Sequence, residues 1–117
     1  MIQASDLRIG NWYDHNGEYK QASHNTIYEV WESEREWCKG IPLTPEVLEK
    51  CGFHKHNNAW VQEDFTENNS KFYFSIWSVD NEEFNYNSAE FPIELKYLHQ
   101  LQNLIYVIKG EELTYKP

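Results

Sequence analysis

Cys51, His54 and His56 fall within six residues of one another, and Cys38 stands thirteen positions upstream. Thiolate and imidazole are the ligands of tetrahedral zinc, which makes this cluster the sharpest chemical candidate in the chain. Structural zinc sites pair their ligands as Cys-x-x-Cys and as two histidines one helical turn apart, and neither spacing occurs here. Cys51 also falls on the apolar side of a short expected helix. The reading is therefore a core thiol followed by a solvated His-Lys-His loop, with Cys51, His54 and His56 as the weaker metal alternative. No cofactor is expected.

Other catalytic chemistry finds less support. There is no Gly-x-Ser-x-Gly elbow. A Cys51–His54 nucleophile would need an exposed, electropositive setting, the reverse of a helix-buried thiol in an acidic chain. Carboxylates are so abundant that no pair stands out for acid–base work. The glycines at 10, 17, 40, 52 and 110 are dispersed, so no phosphate-binding loop is formed. No catalytic residue is assigned.

Binding has better candidates. In the segment from Lys71 to Val79, alternation places Phe72, Phe74 and Ile76 on one face and Tyr73, Ser75 and Trp77 on the other. If only one face meets a helix, Tyr73 and Trp77 are left as anchors for a partner. If the strand is covered on both sides, they are core. His99 and Asn103 share the polar side of the C-terminal helix with Lys96 and Gln100, either as a solvated face or as a patch that recognises a partner.

These residues must be positioned by local elements. Leu98, Leu101, Ile105 and Ile108 recur at helical spacing, flanked by Leu95, Tyr97 and Leu104. Gly110 follows as a left-handed stop and Lys109 suits the negative end of the dipole. Within 95–113 this predicts an amphipathic helix of about four turns that stops at Gly110, with Leu113 just past the stop. Thr44 as N-cap, Pro45 at the first position and Gly52 as the stop predict a short helix with Val47, Leu48 and Cys51 on its apolar face. Asn16-Gly17 is a hairpin signal between a strand ending near Tyr13 and another from Glu18 to Gln21. The β-rich run Thr26 to Trp31 predicts a third strand, and Glu32 to Glu36 a charged turn. Further strands are expected over Ala59–Phe65 and Lys71–Val79, joined by the polar turn 66–70, and more weakly over Glu83–Tyr86. Pro92 reads as punctuation before the long helix. Strands, short helix, strands, long helix is an α+β order with an antiparallel sheet.

Length and charge bound the function. The 117 residues suit one globular domain over 1–117, β-rich to about residue 40 and helix–strands–helix thereafter. Five Trp, eight Tyr and six Phe supply a core without staples. Nineteen acids against ten bases give a net charge of −9, which disfavours direct contact with nucleic acid or an anionic membrane. MIQASDLRIG lacks the pattern of a signal peptide, no segment has the length of a membrane span, and two cysteines without an export signal read as reduced thiols. A cytoplasmic location is expected.

Three segments carry a resemblance: DLRIGNW at 6–12, IPLTPEVLEKCGF at 41–53 and LKYLHQLQNLIYVIKGEEL at 95–113. In these the chain resembles short uncharacterised proteins of Bacteroides-type bacteria and their prophages. The resemblance implies a compact domain in a mobile-element setting and no particular activity. The middle, from Lys20 to Lys39, has no part in it. The expectation is a small acidic, non-catalytic protein-interaction module whose partner is a protein, basic or nucleic-acid-binding. In a sharper form, its acidic surface imitates nucleic acid. The alternative is a small enzyme or ligand-binding protein with a pocket between sheet and C-terminal helix.

Overall fold

The computed structural model describes residues 2, 4–32, 37–65, 71–78, 80–87 and 92–117. The expected turn at 66–70 and most of the charged run after Glu32 lie outside the described residues. The architecture is α+β, with two antiparallel sheets and the C-terminal helix packed beside them.

The first sheet has the order β2-β1-β3, from β1 (Trp12–His15), β2 (Glu18–Gln21) and β3 (Cys38–Lys39). Asn16 and Gly17 both take positive φ, 52° and 95°, the geometry of a two-residue turn whose twist suits a hairpin. The expected strand over Thr26 to Trp31 is instead helix α1 (His24–Glu32). Ser23 and Thr26 decide this. Ser23 Oγ accepts from Thr26 N at 3.3 Å, and Thr26 Oγ1 accepts from Ser23 N at 3.2 Å. This reciprocal cap stabilises a helix start. Ile27 and Val30 then fall inward at helical spacing, in a small cluster with Ile2, Leu7, Tyr13, Ala22 and Cys38. Local capping and burial outweigh the β-branched composition that suggested a strand.

The short helix α2 (Pro45–Lys50) forms where it was expected. Thr44 Oγ1 accepts from Val47 N at 3.2 Å, and Gly52 closes the helix at φ 88°. Phe53 follows the stop and is buried.

The second sheet runs β4-β5-β6-β7-β8. Its strands are β4 (His54–His56), β5 (Ala59–Phe65), β6 (Lys71–Trp77), β7 (Phe84–Asn87) and β8 (Pro92–Leu95). Two of these strands correct the sequence reading. The His-Lys-His segment is an edge strand paired with β5, not a loop. Pro92 opens β8 rather than ending the sheet region, which suits a proline because β8 is the other edge and the first strand position needs no donor.

Consequently the long helix α3 is shorter than expected, Leu98–Lys109. Leu95 is held in β8 opposite Phe84, and Tyr97 is still extended, with φ −128° and ψ 151°. Gln100 Oε1 accepts from Lys96 N at 2.8 Å and from Tyr97 N at 3.0 Å, capping the start. Leu98, Leu101 and Ile105 are buried as expected, but Ile108 is 43% exposed. The buried stripe runs through 98, 102, 105 and 109, and at about 100° per residue position 108 has rotated roughly 80° away from Leu98. Lys109 takes the place expected for Ile108. Its side chain is only 6% exposed, and its ammonium meets Glu111 at 3.6 Å. A lysine stem packs as hydrocarbon while its head finds a carboxylate.

The main core gathers Val47, Leu48, Cys51 and Phe53 with Trp60, Phe74, Ile76, Phe84 and Leu95, and the inward residues of α3. Among the described residues no helix is long and apolar enough to cross a membrane.

Candidate functional site

Strand register sorts the second sheet into two faces. Trp60 pairs with Ile76, Gln62 with Phe74, and Phe84 with Leu95, all facing α2 and α3. The opposite face carries Val61 and Ser75 as one pair and Ala59 and Trp77 as another. Glu63 pairs with Tyr73 further along the same two strands, and their side chains lie outside the described residues. Because side chains alternate, His54 and His56 join this outer face from β4, and Asn85 and Glu94 from β7 and β8.

One transverse row therefore runs His56, Ala59, Trp77, Asn85, Glu94 across the whole sheet. Ala59 and Ser75 are half-buried and Trp77 is exposed, and none of the three belongs to either core cluster, whereas Val61 on the same face is buried. Trp77 is 48% exposed although it lies on the middle strand, where burial would be the default. Its neighbour Ala59 is too small to cover the indole. The side chain of Tyr73 lies outside the described residues, and only its backbone pairing opposite Glu63 places it.

The metal alternative is taken apart by the same alternation. His54 and His56 point to the outer face and are exposed, whereas Cys51 lies in the core at the end of α2. A sheet stands between thiol and imidazoles. No group of metal-ligating side chains gathers among the described residues. Burial pushes the Cys51 thiol up to about 12 and the Cys38 thiol up to about 11. Neither supplies thiolate near neutrality, so neither is an activated nucleophile.

His99 and Asn103 are not on a solvated face. His99 is 4% exposed, stacked on Tyr97 with ring centres 5.8 Å apart, and its Nδ1 has no hydrogen-bond partner among the described residues. Burial holds its pKa below the ordinary value, against a smaller opposing pull from Asp6. Asn103 fastens the N-terminal segment to α3. Its Oδ1 accepts from Asn11 Nδ2 at 2.9 Å and from Arg8 Nε at 3.2 Å, and its Nδ2 donates to Asp6 O at 3.0 Å. Arg8 also pairs with Glu112 and lies 4.1 Å over the Tyr106 ring. Gln102 Oε1 accepts from Trp12 N at 2.9 Å. The polar side of α3 is spent on internal contacts, because a segment distant in sequence packs on it. His99 and Asn103 thus both make contacts within the protein.

Comparison of the chain with family models, curated proteins and solved structures finds no match. The site therefore rests on its own geometry.

Two further surfaces stand outside the second sheet's outer face. On α1, Tyr28 and Trp31 project outward, Trp31 at 74% exposed. With the segment read as a helix, the spacing of His24, Tyr28 and Trp31 would have shown this stripe. The other is a polar recess of about 510 Å³ between the end of α2, β5 and the end of α3. It lies between the second sheet and the C-terminal helix.

Proposed function

We propose that this protein is a small acidic, non-catalytic interaction module that docks a basic protein on the outer face of its second sheet. The observation that carries the reading is Trp77, half exposed on the central strand of a sheet whose helices lie on the other side. An exposed tryptophan beside an alanine adds no core packing, and tryptophan is among the commonest anchors of protein interfaces. The net charge of −9 supports a basic partner and speaks against direct contact with a phosphate backbone. Long-range attraction would speed encounter, and the desolvated indole would supply the salt-resistant affinity. A cytoplasmic, phage-related setting belongs to the same proposal and rests on the resemblance in the segments at 6–12, 41–53 and 95–113.

Affinity capture from a Bacteroides-type lysate tests this, with wild type and Trp77→Ser as baits at low and high salt. A basic protein held by the wild type and weakened by about 2 kcal/mol in Trp77→Ser is expected. Equal capture by both baits would remove the outer face from the interface.

A further inference from the structure

Arg8 shows how this fold holds a guanidinium. It lies 4.1 Å over the Tyr106 ring, donates from Nε to Asn103 Oδ1 at 3.2 Å and pairs with the carboxylate of Glu112. A ring face, a carboxamide oxygen and a carboxylate together suit the arginine head. That head is planar and weakly hydrated, so it can stack through its face while it donates through its edge.

The same three kinds of group stand together on the outer face of the second sheet. Trp77, Asn85 and Glu94 are consecutive in the transverse row, on β6, β7 and β8. Trp77 and Glu94 are exposed and Asn85 is half-buried. Neighbouring strands lie about 4.8 Å apart, so indole and carboxylate are rooted roughly 10 Å from each other with the carboxamide between them. That gap admits a guanidinium above Asn85, with one side against the indole and the other towards Glu94. The side chains of Asn85 and Glu94 have no hydrogen bond or ion pair among the described residues. Among the strand positions of this face whose side chains are described, none is lysine or arginine.

We propose that the outer face takes an arginine side chain of the basic partner, its guanidinium stacked on the Trp77 indole and donating to Asn85 and Glu94. The inference rests on the docking role of this face and names what the face recognises. Lysine fits less well, because its ammonium is a compact, strongly hydrated point charge that cannot stack on the ring and fork onto two acceptors at once. An anionic group would meet Glu94 with no cation beside it. A second copy of this chain is also a poor occupant, since its Arg8 is already engaged and each copy carries −9.

Two blocked peptides of equal charge test the proposal, Gly-Arg-Gly-Arg-Gly and Gly-Lys-Gly-Lys-Gly, titrated into the full chain at about 0.15 M salt. The readout is the Trp77 indole N–H resonance, assigned by its loss in Trp77→Ser. The arginine peptide should shift it saturably, and the lysine peptide should bind at least ~3-fold more weakly. Glu94→Gln, at an exposed position, should weaken the arginine peptide about three- to tenfold without changing the melting temperature. The proposal is overturned if the lysine peptide binds as tightly as the arginine peptide, or if Glu94→Gln binds like wild type. It is equally overturned if neither peptide moves the resonance at millimolar concentration. Affinity capture separates its failure from that of the docking role. A partner weakened by Trp77→Ser but held equally by wild type and Glu94→Gln overturns the arginine site alone. A partner held equally by wild type and Trp77→Ser overturns both.

Discussion

Ala59 lies directly opposite Trp77 across the β5–β6 pair, on the face of the sheet that turns away from both core clusters. The smallest of the β5 side chains thus stands beside the largest of the β6 side chains, and the indole stays open to solvent. This pairing supplies a test of the face itself. Ala59→Glu adds a charged side chain next to the indole without entering the core. It should leave the unfolding free energy within about 0.5 kcal/mol of wild type, as surface substitutions do, while reducing retention of the basic partner. Unchanged retention, measured by the same affinity capture, would argue that the partner sits elsewhere.

The inner face of α3 predicts a contrast between two residues of similar chemistry. Leu101 is fully buried and Ile108 is 43% exposed. Leu101→Ala should cost about 2–5 kcal/mol, from lost burial and the cavity left behind. Ile108→Ala should cost well under half of that. Urea denaturation of the two variants checks the ratio, and equal losses would mean that the buried stripe runs through 108 rather than 109.

Gly40 is needed for space rather than for backbone freedom. A Cβ built there would sit 2.5 Å from the ring of Tyr97. Tyr97 cannot simply swing aside, because it is stacked on His99 and its backbone is bridged to Pro42. Gly40→Ala should therefore destabilise by about 1–3 kcal/mol, the usual cost of overpacking. Thermal unfolding measures it, and Gly40→Ala combined with Tyr97→Ala should recover part of the loss.

His99 gives the fold a pH dependence whose sign follows from its burial. Its folded pKa is lowered from 6.5 by desolvation, so the unfolded chain binds its proton first as pH falls. Stability contributed by neutral His99 is complete above 6.5 and is lost as pH drops from there towards the depressed folded value. Denaturation curves at pH 7.5 and at about pH 5.5 should show wild type weaker at the lower pH. In His99→Gln the difference between the two should shrink. A variant with the same slope as wild type would assign the effect to other groups.

Cys38 and Cys51 should be silent towards a thiol reagent in the folded protein, since burial pushes them up to about 11 and about 12. Both should react at once in denaturant. Fast labelling of Cys51 under native conditions would show that the end of α2 opens readily.

Much of the local structure was legible from single residues because it depends on short-range physics. Thr44, Pro45 and Gly52 specify α2 through capping, and Asn16-Gly17 specifies its hairpin through positive φ. The bounds of β2 and β5 follow from alternation and turn chemistry in the same way. The segment at 24–32 is helical although the β-branched composition of Thr26 to Trp31 predicts a strand, because the Ser23–Thr26 cap is a local signal of opposite sense. Tertiary structure alone decided the rest. Whether the β6 strand is covered on one side or two depends on where α2 and α3 pack, and no pattern within Lys71–Trp77 records that. His99 and Asn103 look solvated in the helix period, yet residues 6–11, nearly a hundred positions away in sequence, close over them. The sequence by itself determined the α+β class, the acidic surface and the local caps, because propensity and charge act over a few residues. Only the fold decided which aromatic stays exposed, which polar residues are buried and that Gln62 borders a recess, because burial is set by neighbours that the chain brings together from afar.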